Sequence, residues 1–487
     1  MATRAAVVAV LSSPPAPDGA ELRALSGRID SLEVRADLVG DLDVHWLRRQ
    51  FSGTLVYTLR SADEGGQFSG PRAERHARLQ AAARAYDQVD LEAVTDLTPE
   101  LLAAVPAGRR RLSRHVGQAV AETGPLMAIL DRMTATPAAL YVLSIDADTV
   151  EDAVAAVSLL AAARRSDVTA YATGMAGLWT RILAPRLGAP IVFGELGTGA
   201  QAGLPTLVEL QTDYGFPELA PVRYLYGIVS PSLRPSAWTR LHNCAYRILG
   251  LPAIFLPFQT QDLRRFWRTV IPALDAVSLP LQGMTVTRPF KDCVLDLVER
   301  TTATAIRCGA GNVAWREGHE WVADATDTSV VSALVAMGVE LSGRRAAVVG
   351  CGAAGRSIAA ALMALGADVV LANRSEERGR FAAQLLGLPF VPLAELSLAG
   401  FALLVHATPV TDRLLVPLAD LPSDAAVLEM VPTNTPSPLM AEARARGLVT
   451  FDGWQVMAAQ GVPQFQRMTG VALPPNAALE LRGSSPH

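Results

Sequence analysis

Lysine is almost missing from this chain of 487 residues: of its 43 Lys and Arg residues, only Lys291 is lysine and the other 42 are arginine. Arginine serves surface charge, ion pairing and phosphate contacts, but its pKa is too high for proton shuttling or Schiff-base chemistry. Chemistry that needs an amine nucleophile away from Lys291 and the N-terminus is therefore excluded. Cysteine is scarce too. Cys244, Cys293, Cys308 and Cys351 all lie in the second half and show no metal-type spacing, so they read as reduced thiols of a cytoplasmic protein with no metal site. There is no basic tract and the formal net charge is −4, which argues against nucleic acid or an anionic membrane surface as partner. No apolar run approaches the ~20 residues that cross a bilayer. The run Ala5–Leu11 is too short for a signal peptide and reads as a first β-strand.

What is present is apolar: half the residues are hydrophobic and only 18% are charged, enough to bury sizeable cores in two to four domains. The first 215 residues alternate short β-like runs with helical stretches. The expected strands are Ala5–Leu11, Leu32–Leu38, Thr54–Leu59, Gln88–Ala93, Arg110–His115, Ala139–Ile145, Val168–Thr173 and Pro190–Gly194, with helical segments such as Arg72–Tyr86 and Val150–Arg165 between them. Eight βα units in this length fit a (β/α)8 TIM barrel, with an open doubly wound α/β sheet as the alternative. A junction at Phe216–Val222 leads to a second α/β region over 223–330. The C-terminal helical stretch 451–475 is expected to pack back on it.

Residues 331–450 read as a Rossmann domain. The β-like run Arg344–Val349 leads into Gly350-Cys351-Gly352-Ala353-Ala354-Gly355 and a helix over Arg356–Leu365. A strand–GxGxxG–helix order is the context a dinucleotide site requires: Gly350 for the turn, Gly352 for approach of a pyrophosphate, Gly355 for helix–strand packing. An NAD-preferring site carries an acid about 20 residues on. This chain has Asn373-Arg374-Ser375 and then Arg378. An arginine pair there suits a 2′-phosphate, so NADP is the expected cofactor. The alternative is a βαβ unit with chance glycines and solvated arginines.

The string Thr285-Val286-Thr287-Arg288-Pro289-Phe290-Lys291, then Asn312, Asp327, the glycine motif and NRSxxR, with the tail Gly453-Trp454-Gln455-Val456-Met457-Ala458-Ala459-Gln460, resembles shikimate dehydrogenase from about Tyr224 to Leu473. The resemblance implies NADPH-dependent reduction of the small-molecule ketone 3-dehydroshikimate, with Lys291 and Asp327 as the catalytic pair. It implies that Ser236, Thr287, Asn312 and Gln460 hold the substrate. Thr408, in the turn His406-Ala407-Thr408-Pro409, and Gly453 would lie on the cofactor side. A developing alkoxide needs a proton and a nearby positive charge, which such a pair supplies. Departures fall in the pocket. Trp238 stands for the family's second serine, Thr285 and Ala325 each for an asparagine, and Pro432 for a tyrosine. A different cyclohexenoid keto acid, or a non-catalytic NADP-binding role, are the alternatives.

The first half resembles type I 3-dehydroquinate dehydratase, fused ahead of the dehydrogenase as in the bifunctional plant enzymes. The matching pieces are Glu33-Val34-Arg35-Ala36-Asp37, Thr58-Leu59-Arg60, Ser113-Arg114-His115, and Gly174-Met175 with Arg181. The resemblance implies His115 as general base and Glu33, Arg35, Arg60 and Arg181 as substrate-binding residues. That family works through a lysine Schiff base. Leu143 is expected at the lysine position, and Ala200 and Leu204 replace the serine and glutamine of a late loop, so this site reads as vestigial.

Overall fold

Runs rich in Val, Ala and Leu, such as Ala6–Leu11, pair as parallel strands buried on both faces. In the computed structural model, residues 3–13, 18–117, 122–197, 202–233, 237–475 and 477 are described. The first eight-stranded sheet contains β1 (Ala6–Leu11), β2 (Ser31–Arg35), β3 (Thr54–Thr58), β4 (Gln88–Glu92), β5 (Arg110–Val116), β6 (Leu140–Ile145), β7 (Val168–Ala172) and β8 (Ile191–Glu195). Each strand from β1 to β6 pairs with the next in sequence, and β1 also pairs with β8. The two ends of this series meet through Tyr171 on β7 and Phe193 on β8, whose rings cross edge to face at 5.5 Å. With helices such as Arg72–Ala85, Val154–Ala163 and Gly174–Leu183 between strands, this is the (β/α)8 architecture.

Its interior is divided by chemistry. Val8, Val10, Leu140, Val142, Tyr171, Phe193 and Leu204 form one apolar cluster. On β2, β3, β4 and β5, Glu33, Thr58, Asp90 and Arg111 instead form a buried charged network. Strand β2 stops at Arg35 rather than running on to Leu38, because Ala36–Val39 turns into a short helix and Arg35 closes a two-bond pair on Asp37 at 2.8 and 2.7 Å.

By packing, the chain forms two units: Met1–Leu225 with Ser232–Arg234 and Pro252–Leu281, and Tyr226–Pro231 with Pro235–Leu251 and Gln282–His487. In the second unit, β9 (Tyr224–Ser230), β10 (Leu281–Val286), β11 (Arg300–Thr301), β12 (Val313–Glu317) and β13 (Glu320–Asp324) run in the order β9-β10-β12-β13-β11. A second sheet follows from β14 (Arg345–Val349), β15 (Asp368–Asn373), β16 (Phe390–Pro392), β17 (Leu403–His406), β18 (Ala426–Glu429) and β19 (Val449–Phe451). Its order, β16-β15-β14-β17-β18-β19, is parallel throughout and is that of the dinucleotide-binding doubly wound sheet. Strand alternation fills both faces: Ala346 and Val348 join one core with Ile358 and Leu362, while Ala347 and Val349 join the other with Phe401 and Leu421.

The helix Ala353–Ala364 begins three residues earlier than expected, directly after Gly352. The C-terminal helix Gly453–Thr469 starts at Asp452, whose carboxylate accepts from the Trp454 and Gln455 amides while the Gln455 side chain returns to the Asp452 amide. No described helix is long and apolar enough to cross a membrane.

Candidate active site

The turn after β10 carries Lys291, and the short helical turn Thr326–Thr328 after β13 carries Asp327. The Lys291 ammonium donates to Asp327 Oδ2 at 2.6 Å. Asp327 is buried, and its other oxygen accepts from Asn312 Nδ2 at 2.9 Å and Gln460 Nε2 at 2.8 Å. Four residues singled out in the sequence, spread over 170 positions of chain, thus meet on one carboxylate. Asn312 is itself oriented: its Oδ1 accepts from the Thr326 amide at 2.7 Å and the Thr326 hydroxyl at 3.1 Å. Thr326 was not singled out in advance, although it adjoins Asp327. A carboxylate fixed by two amide donors orients an adjacent ammonium, an arrangement suited to donating a proton and stabilising negative charge on a substrate oxygen.

The remaining substrate-side expectations divide. The Thr287 hydroxyl donates to the Val229 carbonyl at 3.1 Å, leaving only its lone pairs for a ligand. Ser236 lies outside the described residues. Trp238 packs against Gly461, where an added Cβ would sit 3.4 Å from the indole, so the indole lies one residue along the helix from Gln460.

The dinucleotide features sit at the carboxyl ends of β14, β15 and β17. Gly350 has φ +108° and lies against the Ala407 backbone. A Cβ on Gly355 would stand 1.8 Å from the Gly350 carbonyl, so only glycine allows this crossing. Gly352 opens the helix Ala353–Ala364, and a Cβ there would meet no atom within 4 Å. That is free room at a helix N-terminus, as a pyrophosphate needs. Asn373 ties the glycine loop to the next turn, accepting from the Cys351 amide at 3.3 Å and donating to the Ser375 carbonyl at 2.8 Å. Arg374 and Arg378 are exposed, and among the described residues neither guanidinium has an ion pair. Thr408 pairs with His406 Nε2 at 2.8 Å, His406 Nδ1 with Glu429 at 3.2 Å, and Glu429 accepts from the Ser437 hydroxyl. Only Thr408 of this buried chain was anticipated; a histidine and a glutamate at the ends of adjacent strands were the available signal. Gly453 permits close contact with the Val431–Pro432 backbone, where a Cβ would approach within 2.3 Å.

In the barrel, Glu33 accepts from Thr58 and from Arg111, each at 2.8 Å. Burial works to raise its carboxyl, but the Arg111 charge and hydrogen bond, helped by Arg60, outweigh it and hold the group at about 2. Arg111 is fully buried between Glu33 and Asp90, and was missed because it lies on an interior strand position that usually carries an apolar residue. His115 Nδ1 lies 3.0 Å from Glu64, while its buried Nε2 has no hydrogen-bond partner among the described residues. Burial, followed by the Arg60 charge, pushes its pKa well below the usual histidine value. Arg181 donates to the Gly203 carbonyl at 3.2 Å and stacks on Tyr171 at 3.8 Å. Arg60 is half-buried, and its positive charge acts on both Glu33 and His115.

One expectation is corrected. On β6 the residues that join the interior cluster are Leu140 and Val142. Strand alternation turns Leu143 to the opposite face, against the helices. The interior positions on β6 are therefore Leu140, Val142 and Ser144, with Val142 in register with Ser113 and Ser144 with His115, and none of them carries an amine. Leu204 is buried in the interior cluster, and Ala200 lies outside the described residues.

Comparison with known proteins follows the same division. Residues 6–219 match the family described as Type I 3-dehydroquinase. Residues 228–314 match the shikimate dehydrogenase substrate binding domain. Residues 312–414 match the D-isomer specific 2-hydroxyacid dehydrogenase NAD binding domain. A bifunctional 3-dehydroquinate dehydratase/shikimate dehydrogenase of Arabidopsis thaliana is 24% identical over 91% of this chain and 78% of its own length. The crystal structure of a shikimate 5-dehydrogenase from Thermus thermophilus, in complex with NADP(H) and shikimate, is 27% identical and aligns with 54% of this chain and 99% of its own, at TM-score 0.48. A shikimate dehydrogenase (NADP(+)) of Natronomonas pharaonis is 35% identical over 51% of this chain and 95% of its own length. On that last similarity, which spans nearly the whole relative, the chain belongs to the shikimate dehydrogenase family.

Proposed function

We propose that the second unit is an NADP-dependent shikimate dehydrogenase that reversibly reduces 3-dehydroshikimate to shikimate, on the route to aromatic amino acids. The observation that carries this reading is the single carboxylate of Asp327, which gathers Lys291, Asn312 and Gln460. The cofactor's place is supported by the room at Gly352, the helix N-terminus behind it and the exposed charges of Arg374 and Arg378. When bound, NADPH supplies the hydride. The chain's own residues handle the proton. Lys291 stands at the reacting oxygen, donates a proton as negative charge develops there, and recovers it from solvent through its exposed side. Asp327 keeps that ammonium aimed. Asn312 and Gln460 fix Asp327 and offer further donors to substrate hydroxyls, and Thr287 offers an acceptor.

The barrel carries no lysine, so we infer that it does not form the imine by which type I dehydratases work. Four free thiols suit a reducing compartment such as the cytoplasm. Trp238, whose indole lies against Gly461, favours a second reading, a related cyclohexenoid acid as the true substrate. Steady-state reduction of NADP+ with shikimate, quinate and related acids tests both. Turnover with shikimate far above the others supports the first reading, and preference for another acid the second. No turnover with any of them overturns both.

A further inference from the structure

Arg356 stands in the first turn of the helix Ala353–Ala364 and is 4% exposed. Its guanidinium does not serve its own helix. The Nε donates to the Cys308 carbonyl at 2.9 Å, one terminal nitrogen to the Gly309 carbonyl at 3.0 Å and to Asp292 Oδ1 at 2.6 Å, and the other to the Cys351 carbonyl at 3.5 Å. Cys351 lies inside the glycine motif, Asp292 follows Lys291, and Gly309 precedes Asn312 by three residues. The circuit continues. The Gly311 amide donates to the Lys291 carbonyl at 2.7 Å, and Lys291 and Asn312 both donate to Asp327. One buried cation thus joins the loop that would cradle the cofactor's phosphates to the turn that carries the proton donor.

A purely structural account does not explain the choice of partner. Burying a guanidinium is expensive unless its donors are satisfied, and backbone carbonyls on the core side satisfy most of them. The carboxylate it takes is that of Asp292, whose side chain is 61% exposed and adds nothing to a core. What Asp292 adds is a charge-assisted bond at the residue next to Lys291.

We propose that Arg356 is a positioning residue that holds the glycine-rich loop and the Lys291 turn in one frame, and so sets the distance between bound dinucleotide and proton donor. This rests on the reductase reading of the site. Misplacing reacting groups by about 1 Å lowers rates by up to ~100-fold without comparable loss of binding. The test uses the full chain carrying Asp292→Asn, which alters an exposed side chain, and Arg356→Lys, which keeps the charge but loses the fork. We expect kcat to fall by ~10-fold or more in each, with NADP+ affinity by fluorescence titration near wild type. The double variant should be little worse than Arg356→Lys alone, because both act through one bond. Hydrogen exchange should show the Gly311 amide losing protection in both. Unchanged kcat in Asp292→Asn, or losses of kcat and NADP+ affinity that merely track melting temperature, would overturn the proposal. If the unsubstituted chain does not turn over shikimate, the reductase reading fails instead. The Gly311 amide then decides the coupling alone: lost protection supports it and retained protection refutes it.

Discussion

Replacing Asp327 by Asn keeps the shape of the side chain and removes its charge. Asp327 is buried and accepts three hydrogen bonds, from Lys291 at 2.6 Å, Asn312 at 2.9 Å and Gln460 at 2.8 Å. An asparagine offers one acceptor oxygen and one donor nitrogen in their place. At least one of the three donors then faces a donor and goes unsatisfied, a loss of about 1–3 kcal/mol for a buried group. At about 2–4 °C per kcal/mol for a unit of this size, the melting temperature should fall by several degrees, and the fold should survive. Turnover should suffer far more. Lys291 loses the charge that aims it, and general acid catalysis by a positioned group is worth ~10²–10⁴-fold. Reduction of NADP+ with shikimate, followed at a temperature well below the melt, measures this directly. Wild-type turnover in Asp327→Asn, with the expected drop in melting temperature, would show that the carboxylate is structural and that the pairing has no part in the reaction.

Three further outcomes follow from other parts of the molecule. Replacing Arg374 and Arg378 together by alanine should weaken NADPH binding much more than NADH binding, since only NADPH carries a 2′-phosphate for them; equal losses in calorimetric titrations would contradict the cofactor assignment. Incubation with 3-dehydroquinate and borohydride should leave no reduced adduct in residues 1–215 and no fast dehydration, and Leu143→Lys should change nothing because that side chain faces the helices; a mapped adduct or robust dehydratase turnover would overturn the silent barrel. His115, held neutral by burial, binds its proton in the unfolded chain before it does in the folded one. The folded state should therefore lose stability as pH falls below about 6.5, by up to about 1.4 kcal/mol per unit until the folded group titrates. Urea midpoints for His115→Gln should show less of this slope than wild type, and identical slopes would exclude His115 as its source.

Much of this architecture is local and therefore legible. The run Arg345–Val349, the glycine motif and the helix after it lie within a few turns of one another, and their roles follow from backbone sterics alone. Lys291 stood out because it has no competitor in the chain, and its pairing with Asp327 was expected from the family resemblance, whereas Asn312 and Gln460 were expected at substrate hydroxyls and not on that carboxylate. What could not be read needed three dimensions. A strand's inward parity shifts completely with one residue, which is why Leu143 was taken for an interior position. Arg111 is polar at a position that alternation would make apolar, and it is stabilised by Glu33 and Asp90 from two other strands. The grouping of Pro252–Leu281 with the barrel unit depends on contacts such as Trp179 on Phe258, which leave no local mark. Arg356 resembles any helix arginine until its four partners are seen.

The central claim is that Lys291 delivers the proton in an NADP-dependent reduction. Its most direct test is Lys291→Ala, with kcat for shikimate oxidation and the dissociation constant for NADP+ measured on the same preparation. The account predicts a fall in kcat of ~10²–10⁴-fold with NADP+ affinity unchanged. Near-normal turnover in this variant, with NADP+ still bound, would contradict it.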